Sequence, residues 1–290
     1  MTETAPARVL VCGIAALDHV HLVDALPAGG VKHRSHGLRM VGGGCAANAA
    51  VAVARLGGEA VLATRLGDDA AGRWLAEALA GQGVRLLLPP EAGAQTPQSA
   101  VMVDRAGERM IVNFRGAGLP ERLPDDLPEC DAVLCDTRWG AGAEAALRHA
   151  RARGVPGVLD GEAPVGEAEA RLASHVVFAA QGLRDFAGND DLDGALETVR
   201  LPGRVAYTDG AAGVVWRGGP RIAPPAVTAV DTLGAGDVWH GAFALALARG
   251  EGLDEASRFA NMAAAAKCAR AGGWEVYPTA SDLAAPREGR

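Results

Sequence analysis

Along this sequence a short apolar run repeatedly stops at a polar residue and gives way to a stretch with helical spacing. Arg8–Gly13, Glu59–Thr64, Asp131–Cys135, Val155–Leu159, His175–Phe178 and Arg204–Tyr207 are the apolar runs. Cys45–Leu56, Ala70–Leu79, Ala141–Arg153, Val238–Arg249 and Leu253–Cys268 are the helical stretches. Strands that alternate with helices in this way predict an α/β fold, a parallel sheet covered by helices on both faces. Asp18, Arg138, Asp160, Thr208 and Asp237 all fall just beyond strand ends. In open α/β sheets that carboxyl edge is where ligands bind.

With 290 residues, 49% of them hydrophobic, the chain can bury a sizeable core, and it reads as one unit over 1–290. The net charge of -7 and the lack of a basic block argue against a nucleic-acid partner. Five cysteines at unrelated spacings fit a reduced, cytoplasmic chain rather than a disulfide framework. Met1–Pro6 is a short polar lead without a signal-type apolar core, and no run is long enough to span a membrane. Gln98–Asp104 and Arg109–Phe114, around Arg105-Ala106-Gly107-Glu108, read as a hairpin set apart from the main sheet as a lid. Lys32-His33-Arg34-Ser35-His36 reads as a basic, polar strand, and Val214–Trp216 with Pro220–Ala223 as a second hairpin.

The chemistry concentrates in Asp231-Thr232-Leu233-Gly234-Ala235-Gly236-Asp237. Ala226–Val230 before it reads as a strand, and a helix follows. Free amides of Gly234, Ala235 and Gly236 at a helix N-terminus make an anion site. Two carboxylates there would repel a bare phosphate. They make sense if one accepts a proton from a neutral group while the amides hold the anion, as when a hydroxyl attacks a phosphoryl group. Asp237 falls in the first turn, where the helix dipole favours its ionised form and so a base. The same stretch is also readable as an Asp-capped helix behind a glycine turn.

A second motif, Gly42-Gly43-Gly44-Cys45-Ala46-Ala47-Asn48, leads to Arg65-Leu66-Gly67-Asp68-Asp69-Ala70-Ala71-Gly72. These two signatures, in this order, resemble those of the ribokinase-like (PfkB) carbohydrate kinases over nearly the whole chain. The resemblance implies a doubly wound, mostly parallel sheet with a small β lid, formed by roughly 14–40 and 97–116. It implies ATP as donor, Mg²⁺, and Asp237 as catalytic base with Gly234, Ala235 and Gly236. By the same resemblance Thr208, Gly210, Gly234, Gly236 and Asn261 lie near the nucleotide, while Asp18, Gly43, Gly44 and Asn48 hold the sugar. It also implies a homodimer through the lid, for which Val101, Val103 and Ile111 offer an apolar face. The family's Asn-x-x-Glu element, which orders Mg²⁺, falls at Ala179-Ala180-Gln181-Gly182, so no metal ligand is assigned. Asp160 and Glu162 are substitutes to consider.

Lys32, Asn113 and Arg138 could converge on a three-oxygen anion. The runs holding them, with Ser99–Asp104, Leu159-Asp160-Gly161 and Val238-Trp239-His240-Gly241-Ala242, look like those of the sulfofructose kinases. That resemblance implies 6-deoxy-6-sulfofructose as acceptor, its 1-phosphate as product, and Lys32, Asn113 and Arg138 on the sulfonate. A fructokinase-like or sugar-phosphate kinase is the alternative within the family. A catalytically silent sugar or nucleotide sensor is the alternative outside it, and a nucleoside kinase fits poorly with 4% aromatic residues.

Overall fold

The structure, a computed structural model, describes residues 5–89 and 92–284, so residues 1–4 of the polar lead lie outside it. In chain order the strands are β1 (Arg8–Cys12), β2 (Ala16–Leu22), β3 (Gly37–Gly43), β4 (Glu59–Ala63), β5 (Val84–Leu87), β6 (Gln98–Val103), β7 (Arg109–Phe114), β8 (Ala132–Cys135), β9 (Gly157–Gly161), β10 (His175–Ala179), β11 (Arg204–Thr208), β12 (Val214–Trp216) and β13 (Arg221–Ile222). The helices are α1 (Cys45–Arg55), α2 (Ala70–Gly81), α3 (Gly140–Arg153), α4 (Glu167–Leu172), α5 (Ala180–Ala187), α6 (Leu192–Thr198), α7 (Ala235–Ala248), α8 (Leu253–Cys268) and α9 (Ala280–Ala284). A large sheet runs β13-β12-β11-β10-β9-β8-β1-β4-β5, parallel except for the β11-β12-β13 edge. A separate four-stranded sheet runs β3-β2-β6-β7.

The period-2 geometry of a strand divides β1 between two cores. Val9 and Val11 face the side covered by α1, α7 and α8, whereas Leu10 and Cys12 face the side covered by α3. All four side chains are fully buried. On the first side α7 is apolar all round, buried from Val238 to Leu247, and acts as a core helix rather than a surface one. Gly241 lets it approach α1 closely, since a Cβ there would stand 2.5 Å from the Ala49 carbonyl oxygen. The N-termini of α1 and α7 are thereby held side by side at the carboxyl edge of the sheet.

The doubly wound sheet with a small β sheet beside it is the architecture expected from the sequence. Two strand assignments are corrected. Residues 32–36 are an irregular, exposed loop, because pairing between β2 and β3 ends at Leu22 and Gly37, and only the His36 amide beyond it still reaches the Leu22 carbonyl. Residues 226–230 are also irregular, and Val230 is exposed. The backbone there is tied instead to the end of α8, where the Cys268 carbonyl accepts from the amides of Val230 and Asp231. Strand β5 and helices α4 to α6 had no assignment from the sequence.

Candidate active site

A cavity of about 730 Å³ opens between the carboxyl edge of the large sheet and the inner face of the small one. Asp18, Gly43, Gly44, Asn48, Asn113, Arg138, Thr208, Gly234, Gly236 and Asp237 line it. Lys32 does not line it and sits exposed in the 32–36 loop. Asn261 is in the core, with its Oδ1 accepting from Trp239 Nε1 at 2.8 Å and its Nδ2 donating to the Ile222 carbonyl at 2.8 Å. Gly210 opens a short 3₁₀ turn two residues beyond Thr208.

The anion cradle takes its shape from Gly234, which caps α7 in the left-handed region at φ +75°. A Cβ there would meet the Tyr277 hydroxyl at 2.5 Å. The Ala235 amide donates back to the Thr232 carbonyl at 3.2 Å, so it belongs to the turn and not to the cradle. Among the described residues no protein acceptor meets the amides of Gly234, Gly236 and Asp237, and the helix dipole is positive there. Of the three amides read in the sequence, Gly234 and Gly236 are therefore available, and that of Asp237 takes the place of Ala235.

Asp237 stands in the first turn of α7, as its position in the motif requires. Asn48 Nδ2 donates to its Oδ2 at 2.7 Å. Asn48 Oδ1 accepts from Trp274 Nε1 at 2.7 Å, which fixes which end of the amide faces Asp237. The expectation that the helix dipole keeps Asp237 readily ionised is corrected. Burial, and then the nearby Asp160 carboxylate, push it up to about 7, with Asn48 opposing. A carboxylate poised near neutrality is able to take up and release a proton at pH 7.

Asp160 ends β9 and is 7% exposed. Among the described residues no N–H or O–H is within hydrogen-bonding reach of its carboxylate. Nδ1 of His240 is 3.6 Å away, but it donates to the Gly236 carbonyl at 2.8 Å. Burial, then Glu162 and Asp136, push Asp160 well above the usual carboxylate range. One ligand atom from each of Cys45, Asp160 and Asp237 lies within 4.8 Å of the others. The Cys45 thiol donates to Glu162 Oε2 at 3.2 Å, and burial then Asp237 hold it neutral. A buried carboxylate without a donor, next to further carboxylates and an inert thiol, is an oxygen-rich set of the kind Mg²⁺ takes. On α5, by contrast, Gln181 only bonds Asp185, at 2.7 Å.

At the acceptor end, Asp18 packs against Gly43, where a Cβ would come within 2.3 Å of its carboxylate. Burial raises Asp18 and a hydrogen bond from Ser99 opposes this. Asn113 Nδ2 donates to Ser99 Oγ at 2.9 Å, completing a row across three strands. Arg138 is already engaged: its guanidinium bonds Glu162 and, at 2.7 Å, the Ala163 carbonyl. Sequence reasoning missed Arg39 and Arg109, and named Arg115 only beside Asn113. All three line the same cavity, and Arg109 is paired with Asp231 at 3.2 Å. Their common signal is alternation along lid strands, with every second residue facing inward. That alternation also turns Val101, Val103 and Ile111 into the cavity, so the outer apolar face is formed by Leu38, Met40, Met110 and Val112.

Comparison with known proteins places the chain in a family. The pattern of the pfkB family carbohydrate kinases matches residues 6–280. The chain is 27% identical to a ribokinase of Bacillus subtilis (strain 168) over 288 residues, 95% of this chain and 98% of that one. It is 32% identical to an ATP-dependent ribose-1-phosphate kinase of Halopiger xanaduensis over 298 residues, 96% of this chain and 97% of that one. Among solved structures, Arabidopsis thaliana ribokinase complexed with ribose and ATP superposes with a TM-score of 0.84 at 25% identity, covering 97% and 98% of the two chains.

Proposed function

Because the chain belongs to the pfkB family of carbohydrate kinases, it is an ATP-dependent sugar phosphotransferase, and we propose that its acceptor is an anionic sugar. In this reading Asp237 takes the proton from the attacking hydroxyl. The amides of Gly234, Gly236 and Asp237 stabilise the charge on the transferring group, at about 2.7–4 kcal/mol per donor. Asp18, Asn48 and the Gly43–Gly44 backbone hold the sugar hydroxyls. Asp160 and Glu162 would hold Mg²⁺, which when bound neutralises charge on the phosphate oxygens. Thr208 lines the side of the cavity where the nucleotide would enter.

The observation that carries the acceptor is the inner face of the lid. Arg39 on β3 and Arg115 just after β7 line the cavity without a carboxylate partner among the described residues, and Asn113 on β7 lines the same cavity. A sulfonate or phosphate on the far carbon of a ketose matches that charge. Gripping C6 at the lid leaves the C1 hydroxyl facing Asp237. The specific acceptor we favour is 6-deoxy-6-sulfofructose, giving its 1-phosphate, with Arg115 and Arg39 in place of the exposed Lys32. A ribose or ribose phosphate acceptor is the second reading, supported by the printed activities of the Bacillus and Halopiger relatives.

Steady-state assays with ATP and Mg²⁺ against sulfofructose, fructose, fructose 6-phosphate, ribose and ribose 1-phosphate separate these readings. Anionic ketoses are expected to lead, and Arg115→Ala to cut kcat/KM for them by roughly 10-fold or more while sparing neutral sugars, a lost charged hydrogen bond being worth about 1.5–3 kcal/mol. Equal turnover of neutral and anionic ketoses, or an equal loss for both in Arg115→Ala, rejects the anionic acceptor.

The outer face of the lid supports a homodimer. Leu38 and Met40 on β3, and Met110 and Val112 on β7, are between 37% and 61% exposed on the two edge strands of the small sheet. Apolar side chains exposed along both edges favour burial against a second copy. Light scattering should give a dimer for the wild type and a monomer for Val112→Asp. A wild type that stays monomeric at tens of micromolar would rule the lid dimer out.

A further inference from the structure

The most deeply buried cation among the described residues takes no part in the chemistry above. Lys267, in the last turn of α8, is 0% exposed. Among the described residues its ammonium reaches Asp231 alone. Nζ donates to the Asp231 carbonyl oxygen at 3.1 Å and lies 3.0 Å from Asp231 Oδ2. Backbone and side chain of the same residue are thus held together by one charged group. An apolar side chain would fill this part of the core without the desolvation that an ammonium suffers there.

Asp231 passes the constraint on. Its Oδ1 accepts from the Leu233 amide at 2.9 Å, closing an Asx turn, and from Arg109 Nη2 at 3.2 Å. The following carbonyl, that of Thr232, accepts from Ala235 and closes the next turn. Gly234, in the left-handed region, lies between the two, and the cradle amides follow it. Hydrogen bonds of 2.9–3.2 Å, joined by the intervening peptide units, therefore link the Lys267 ammonium to the direction in which the amides of Gly236 and Asp237 point. The same carboxylate is touched from the core by Lys267 and from the lid strand β7 by Arg109.

Taken with the reading of this cavity as a phosphoryl-transfer site, on which it rests, the geometry points to Lys267 as a positioning residue. By clamping Asp231 it sets the turn that aims the anion cradle, and Arg109 ties the lid to the same turn. The role is in the transition state rather than in acceptor binding, because the acceptor contacts lie on other elements.

Wild type, Lys267→Met, Asp231→Asn and the double variant are compared by steady-state kinetics at temperatures at least 15 °C below each variant's Tm. Lys267→Met is expected to lower kcat by 10-fold or more with the acceptor KM within 3-fold of wild type. Asp231→Asn, which keeps the shape of the side chain, should do the same. The double variant should be no slower than the worse single one, because both break one device. A Lys267→Met enzyme with kcat within 2-fold of wild type overturns the proposal. So do losses that multiply in the double variant, or a change confined to KM. Should Lys267→Met not fold, Asp231→Asn decides alone: a loss of kcat at constant KM supports the clamp, and a kcat within 2-fold of wild type overturns it. A wild type without ATP-dependent turnover of any sugar removes the underlying reading as well, whereas an active wild type with unaffected variants removes the clamp only.

Discussion

Asp237→Asn should lower kcat by roughly 10²–10⁴-fold, the range in which a positioned general base contributes. The residue stands at the point where the two halves of the site meet. Behind it are the unpaired amides of α7, and beside it is Asn48, itself oriented by Trp274. An amide at this position keeps the shape and one acceptor oxygen but cannot take a proton from a hydroxyl. The loss should not come from unfolding. The carboxylate is surrounded by buried groups and repelled by Asp160, so replacing it with a neutral group leaves Tm unchanged or raises it. The wild-type pH profile gives a second check. With Asp237 raised to about 7, the ionised, base-competent form is lost as pH falls through that value. Therefore log kcat/KM of the wild type should drop with a slope of about 1 below pH 7, while the residual activity of Asp237→Asn stays flat over the same range. Residual kcat within 10-fold of wild type, or the same pH slope in the variant, would assign proton abstraction to another group.

The sequence carried the parts of this site that depend on local order and withheld those that depend on distant contacts. Asp237 in a first helical turn, and Gly234 before it, follow from a glycine motif that precedes an apolar helix. The β6–β7 hairpin follows from alternation around Asp104–Glu108, where Gly107 takes φ +83°. By contrast, the raised pKa of Asp237 depends on Asp160, which arrives from β9, and could not be read from the helix dipole alone. Asn48 is oriented by Asp237 and Trp274, partners 189 and 226 residues away that no local pattern points to. Arg138 looked like a free cation because Glu162, its partner, lies on the turn after a different strand. Residues 226–230 looked like a strand from their composition, but they join neither sheet, and the amides of Val230 and Asp231 go to the Cys268 carbonyl at the end of α8. Helices α4 to α6 have only 6, 8 and 7 residues, too few to stand as helices on their own, and they are held by α3, β10 and β11.

Gly234→Ala should be the most damaging change that leaves every charge in place, and its comparison with Gly236→Ala isolates why. At Gly234 a side chain faces two separate penalties. The left-handed backbone costs a non-glycine residue roughly 1–2 kcal/mol. The new Cβ would also stand 2.5 Å from the Tyr277 hydroxyl, on a residue only 4% exposed that cannot swing aside. Relief of either penalty turns the backbone at the start of α7, so the amides of Gly236 and Asp237 lose their aim. With about 2.7–4 kcal/mol at stake per donor, kcat should fall by roughly 10²-fold or more, together with a lower Tm. Gly236 differs on both counts. It lies inside α7 with a helical backbone, and nothing stands within 4 Å of an added Cβ. Alanine there should stabilise the folded protein by roughly 0.5–1 kcal/mol, as in any compatible helix position. The open space that accepts its methyl group is the cradle itself, so activity should still fall. Thermal melts with steady-state kinetics on the two variants therefore give opposite signs in stability and the same sign in rate. If Gly236→Ala keeps full activity, the transferring phosphoryl group does not sit at the N-terminus of α7. If Gly234→Ala melts like the wild type, the left-handed cap is not what shapes the cradle.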